Sequence, residues 1–167
     1  MLIQTRHFGE IEVDETRIIE FPAGLPGFAD TRRYVLLPHG DDSPFYFLQS
    51  LERSEVAFVV TWPQRFFPDY QPVIPPDELE EIGLTAGDGE VEVLVILTVP
   101  ADPRLMTANL LAPVVINVAA RRARQVILNG SGYTTRHCVF PESAATAETV
   151  AVGSPARAGE VRACVGG

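Results

Sequence analysis

The sequence contains no lysine. All 13 basic residues are arginine, and 22 acidic residues outnumber them to give a formal net charge of −9. Nucleic-acid binding depends on positive charge that neutralises phosphates, so this shortage argues against direct RNA or DNA binding. The excess of carboxylates instead favours a protein partner that is itself basic.

Cysteine is also scarce, with only Cys138 and Cys164 among 167 residues. A disulfide bond between them is compatible with the sequence but not implied by it, and two cysteines make no disulfide framework. The N-terminus lacks the long apolar segment of a signal peptide, and no apolar run approaches the roughly 18 residues of a membrane helix. We therefore expect a reduced, cytoplasmic protein that does not associate with membranes.

Catalytic and metal-binding motifs are missing as well. No histidine has a second ligand at a metal-binding spacing, since His137 and Cys138 are adjacent and would point to opposite faces of a strand. The sequence has no P-loop, GxGxxG or GxSxG motif. The acidic pairs at 41–42 and 80–81 are typical of solvated surfaces. These absences predict a protein that is not an enzyme and that binds no cofactor or metal.

What the chain does contain is a series of short apolar runs separated by turns. The most apolar stretch, 105–128, predicts a hairpin with Arg121 and Arg122 at its tip, beside a strand over 91–99. Further strands are predicted at residues 2–5, 10–14, 18–21, 34–37, 45–51, 56–61 and 133–140. The pattern indicates an all-β fold with one short helix, a small β-barrel-like or barrel-sandwich domain over residues 1–140.

The one helix signal follows a pair of prolines. Asp77 is predicted to cap this helix, Glu80 completes a capping-box spacing, and Gly83 would end the helix after about two turns. From residue 141 to residue 167 the chain is rich in alanine, glycine, serine and valine without periodicity. We expect this C-terminal region to be a disordered tail.

The segment 62–70 holds four aromatic residues and two prolines, too irregular for a strand. It would fold over the open end of a barrel and fill its core, form a binding surface, or do both, because tryptophan and tyrosine are enriched at hot spots. The acidic helix follows directly and would supply a negative rim that suits an amphipathic, partly basic helix. The predicted protein-binding residues are Trp62, Phe66, Phe67, Asp69, Tyr70, Asp77, Glu78 and Glu81.

Several short motifs, taken together, resemble the FliW family of bacterial flagellar assembly factors. They are IEFP at 19–22, GLPGF at 24–28, PFYFLQS at 44–50, AFVV at 57–60, FPDY at 67–70, MTANLLAPVVIN at 106–117 and QVIL at 125–128. Their order and spacing extend across residues 2 to 140, and the tail from Glu142 onward lies outside the pattern.

The resemblance implies a small β-barrel-like protein without catalytic activity that binds two partners in alternation. One partner is the C-terminal segment of flagellin, and the other is the translational regulator CsrA, whose RNA binding FliW antagonises. Free FliW would allow flagellin translation, whereas accumulated flagellin would capture FliW and leave CsrA to repress it. The family indicates an allosteric or repulsive antagonism, although direct mimicry of RNA would also use negative charge.

The residues themselves are compatible with other functions. One is a small-ligand-binding barrel with an apolar cavity. Another is a hydrolase that uses Cys138 and His137. A protein that binds flagellin but not CsrA would act as a flagellin chaperone alone. The segment 107–109 is expected to be structural, with Asn109 bonded to the backbone at a strand bend.

Overall fold

The computed structural model describes residues 1–84 and 89–141, so most of the predicted tail lies outside the described residues. Within these ranges the chain forms one α-helix, α1 (Pro76–Glu81), three short 3₁₀ helices and eleven strands. None of the described helices is long and apolar enough to cross a membrane. The strands are β1 (Leu2–Thr5), β2 (Gly9–Glu12), β3 (Ile19–Glu20), β4 (Arg33–Pro38), β5 (Tyr46–Ser50), β6 (Ala57–Thr61), β7 (Val91–Thr98), β8 (Thr107–Ala108), β9 (Val114–Asn117), β10 (Arg122–Gln125) and β11 (His137–Cys138).

Seven of these strands close into a barrel. Their order is β7-β6-β5-β4-β3-β10-β9, and pairing of β9 with β7 completes the ring. The β3–β10 pair is parallel, whereas the other six pairs in the ring are antiparallel. The predicted fold, mostly β and barrel-like with one short helix, is confirmed.

Strand β7 is the longest and joins the barrel to two extra strands. One of its edges pairs with β6, while the other pairs with β9 over residues 91–94 and with β8 over residues 97–98. Between β8 and β9 the chain bends away from β7, and the Asn109 side-chain oxygen accepts the Ala112 N–H at 2.9 Å. This bond satisfies a backbone donor at the bend, so the predicted structural role of Asn109 is confirmed.

Alternate side chains of the strands fill the barrel interior. Phe21, Tyr34, Leu48, Val60 and Leu94 are completely buried there. Because large side chains occupy this interior, the barrel gives no support to the small-ligand-binding alternative. The opposite faces of several strands are covered from outside, by the β1–β2 hairpin on β4, by α1 on β9 and by an aromatic layer on β7.

The predicted central hairpin is formed by β9 and β10 alone. Its tip comprises residues 118–121, and Arg122 is already the first residue of β10. Arg121 has a φ of +56°, the left-handed conformation that glycine or asparagine adopts most readily. The predicted last strand is shortened to β11, since the backbone before it forms turns and its Thr134 carbonyl accepts the N–H groups of Leu110 and Leu111.

The start of helix α1 differs from the prediction. The Pro75 carbonyl accepts the N–H groups of Glu78 and Leu79 at 3.1 and 3.3 Å, so Pro75 is the N-cap and no side chain caps the helix. Asp77 therefore lies within the first turn, and the predicted capping box with Glu80 is wrong. A proline at the first helical position lacks an N–H that would need a partner, which explains the earlier start. The predicted end is confirmed, because Gly83 has a φ of +85°.

We expect Gly24→Ala to destabilise the fold strongly. Gly24 has a φ of +67°, and a Cβ atom there would lie 2.8 Å from the Ala29 Cα atom. Gly27, with a φ of +83° and no atom near an added Cβ, is the matched control. Urea denaturation should show a loss of about 3 kcal/mol for Gly24→Ala and about 1 kcal/mol for Gly27→Ala. Equal losses would contradict the close contact.

Candidate functional site

The aromatic segment 62–70 lies against the outer face of β7. It leaves β6, turns through a short 3₁₀ helix over Pro63–Arg65 and packs on Val95 and Leu97. These two side chains point away from the interior, because alternate residues of a strand face opposite sides of the sheet. The segment thus covers a wall of the barrel and not its open end, which was one of the two alternatives for this segment. Only Trp62 packs with the interior cluster.

The four rings of this segment differ in exposure. Phe67 and Tyr70 are buried, with 8% and 5% of their surface exposed. Trp62 and Phe66 are half-buried, and the Phe66 ring stacks on the Phe45 ring with 5.7 Å between centroids. A partner can therefore reach Trp62 and Phe66 directly, while Phe67 and Tyr70 support the segment from beneath.

Tyr70 ties the segment to the rest of the fold. Its hydroxyl donates a hydrogen bond to the Leu110 carbonyl at 2.7 Å, and its ring meets the Tyr133 ring edge to face at 4.7 Å. Burial raises the pKa of the Tyr70 hydroxyl, which keeps this donor protonated at neutral pH. The Tyr133 hydroxyl in turn accepts the Gln71 N–H at 3.3 Å. These bonds position the chain between the aromatic segment and α1.

Helix α1 places the acidic residues beside this layer. Ile82, directly after the helix, packs on Val115 of β9, and Glu78 forms an ion pair with Arg124 of β10. Glu78 is therefore half-buried and engaged within the protein. The other predicted acidic contacts are exposed; they are Asp69, Asp77 and Glu81.

One exposed residue of this region was missed from the sequence. Val73, between the aromatic segment and α1, has 84% of its surface exposed, while the next residue, Ile74, packs against the buried cluster that contains Ile82 and Val115. A single valine among prolines carries no periodicity, so only the fold shows that its side chain points outward. We define the site as the aromatic segment, Val73 and the exposed carboxylates of α1. Its role in binding remains a prediction.

His137 lies beneath the same layer, in β11. Its Nε2 atom accepts the Thr134 N–H at 2.8 Å, its ring meets the Phe67 and Tyr133 rings, and its Nδ1 atom has no partner among the described residues. Burial lowers the pKa of His137, so the imidazole is neutral at pH 7. His137 and Cys138 are both buried, which denies a substrate access to the proposed hydrolase pair.

The fold and the site together define a class, a small mixed β-barrel that carries an external aromatic layer flanked by acidic side chains. The family model described as "FliW protein" matches residues 2–139. The chain therefore belongs to the FliW family, as the sequence motifs indicated.

Individual relatives agree with this assignment. The flagellar assembly factor FliW of Natranaerobius thermophilus is 44% identical over 84% of this chain and 93% of its own length. The protein of the same name from Heliobacterium modesticaldum is 42% identical over 87% of this chain and 95% of its own length. A crystal structure of the flagellar assembly factor FliW superposes with a TM-score of 0.79 at 41% identity, covering 85% of this chain and 99% of that one.

We predict that acid destabilises the protein through His137. An unfolded histidine takes up a proton below about pH 6.5, whereas the buried one resists it, so stability present above that pH is lost as the pH falls. The free energy of unfolding should decrease by at most about 1.4 kcal/mol per pH unit from this group. His137→Gln should flatten the profile obtained by urea denaturation at a series of pH values. A variant profile as steep as that of the wild type would refute the prediction.

Proposed function

We propose that this protein is a flagellar assembly factor that acts by binding other proteins and not by catalysis. In this proposal it binds the C-terminal segment of flagellin and, in alternation, the translational regulator CsrA, and so controls flagellin translation in the cytoplasm. Membership of the FliW family is the observation that carries the proposal, because the relatives that match nearly all of the described chain are flagellar assembly factors.

The geometry of the site suits an amphipathic helix such as the end of flagellin. Half-buried Trp62 and Phe66 with exposed Val73 offer apolar contacts, and the carboxylates of Asp77 and Glu81 lie on the side of α1. Binding of an apolar helix face to such a surface would keep the helix from polymerising early.

The charge of the protein suits the second partner. CsrA must attract RNA phosphates, so a molecule with a formal charge of −9 docked beside its RNA site would lower the local positive potential. RNA capture would then slow without any need to occupy the RNA site. This argument supports electrostatic repulsion as a mode of antagonism, and direct mimicry of RNA would use the same negative charge.

Competition titrations with flagellin and CsrA from the same organism test the proposal. Each partner should bind alone, and each should weaken binding of the other by the same factor, because coupling between two binding equilibria is reciprocal. Binding of flagellin without CsrA would reduce the function to that of a flagellin chaperone. Binding of neither partner would refute the proposal.

Substitution of Val73 tests the position of the site. Val73→Asn removes an exposed apolar side chain, so it should leave the free energy of unfolding within about 0.5 kcal/mol of the wild type. Flagellin affinity should fall about tenfold, equivalent to about 1.4 kcal/mol. Leu2→Asn changes another exposed apolar residue, 67% exposed on the β1–β2 hairpin, and should leave binding unchanged. Equal effects of the two variants would place the flagellin site elsewhere.

A further inference from the structure

The barrel has one weak seam, between β3 and β10. These strands pair in parallel through a single register pair, Glu20 with Arg122. Pro22 follows directly after Phe21 and has no N–H with which to extend the ladder. The two strands therefore separate after one pair, and a cleft of about 390 Å³ opens on the outer surface.

Arginine side chains dominate the wall of this cleft. It is lined by Arg32, Arg33 and Arg122, together with Glu20, Glu52, Phe21 and Pro22. The register pairs Glu20 with Arg33 on one side and with Arg122 on the other, which places these three side chains on the same outer face.

The charges of the cleft are only partly compensated. Glu52 accepts the backbone N–H groups of Arg32 and Arg33 at 3.3 and 3.2 Å, and it pairs with the Arg33 side chain at 3.4 Å. The side chains of Arg32 and Arg122 are exposed and form no ion pair within the described residues. With Glu20 as the remaining carboxylate, the cleft carries an excess positive charge on a strongly acidic protein.

This chemistry fits a carboxylate ligand. The planar guanidinium group matches a carboxylate through two parallel hydrogen bonds, and Glu52 shows that a carboxylate is already bound on this wall. An approaching polyanion is repelled by the molecule as a whole, so its capture depends on local pairing at short range. A short acidic peptide can satisfy two separated guanidinium groups without placing much negative charge over the rest of the surface.

We propose that the cleft between β3 and β10 is a second docking surface, which binds an acidic segment of a partner protein through Arg32 and Arg122. Around the barrel, the β10 side of the cleft is two strand steps from β7, where the aromatic layer packs. The proposal is separate from the flagellin and CsrA proposal, since it assigns other residues and a ligand of opposite charge. The two surfaces adjoin, because Glu81 of α1 and Pro22 of the cleft line one shallow pocket.

Fluorescence anisotropy with a labelled hexaglutamate peptide at low salt tests this assignment. The wild type should bind the peptide, and the double variant Arg32→Gln, Arg122→Gln should bind it at least tenfold more weakly. Arg136→Gln removes an exposed arginine beyond the cleft that forms no ion pair with the residues the structure describes, and it should leave affinity unchanged. Absence of wild-type binding, or equal losses in the double variant and this control, would overturn the proposal.

A variant that should gain affinity distinguishes direct binding of the peptide from a purely structural role of the cleft residues. Glu20→Gln removes the carboxylate that lies beside Arg122 on the outer face and would repel an acidic peptide, so hexaglutamate should bind more tightly, by at least threefold. A variant that only loosens the seam would not tighten binding, so an unchanged or weaker affinity counts against the proposal.

Hexauridylate provides the final comparison. If it binds as tightly as the peptide and responds to the same variants, the cleft is a phosphate site and the proposal fails.

Discussion

The double pairing of β7 is the constraint on which the rest of the structure depends. One edge of this strand pairs with β6, while the other holds β9 at one end and β8 at the other. The β9 pairing closes the barrel, and the β8 pairing extends the sheet beyond it. The two pairings differ in register by three residues, and the bend at Asn109 accommodates these extra residues between β8 and β9.

This arrangement leaves the outer face of β7 apolar and in need of cover. Val95 and Leu97 point outward from the barrel, and both are buried only because the aromatic segment and the chain around β11 pack on them. The hydrophobic effect therefore holds Phe67 and Tyr70 inside this layer. The candidate binding surface is the part of this layer that remains exposed. The packing of the layer on β7 therefore both stabilises this surface and gives it its shape.

The molecule also distributes its charge unevenly. Exposed carboxylates lie on α1, whereas uncompensated arginines meet where β3 and β10 separate. The seam is weak because the ring is closed there by a single parallel pair followed by proline. The early separation of β3 and β10 has thus left a surface whose charge is opposite to that of the protein as a whole.

Alternation of apolar residues and the position of turn residues were enough to predict most strands and the β9–β10 hairpin, because these patterns act over a few neighbouring residues. The start of α1 was predicted incorrectly, since the Pro75 carbonyl took the role assigned to Asp77. For the candidate site, residue type indicated an aromatic segment but did not separate buried Phe67 and Tyr70 from half-buried Trp62 and Phe66, because all four are apolar enough for either environment.

The sequence by itself determined the fold class, the acidic surface and the family, because alternation, composition and motif spacing are properties of the chain order. Tertiary structure alone decided which aromatic rings reach solvent, that Val73 is exposed, and that Arg32 and Arg122 line one cleft. These features depend on contacts between residues far apart in the chain, such as Tyr70 with Leu110 and Glu20 with Arg122. No local pattern encodes those contacts, since they arise only when the barrel closes.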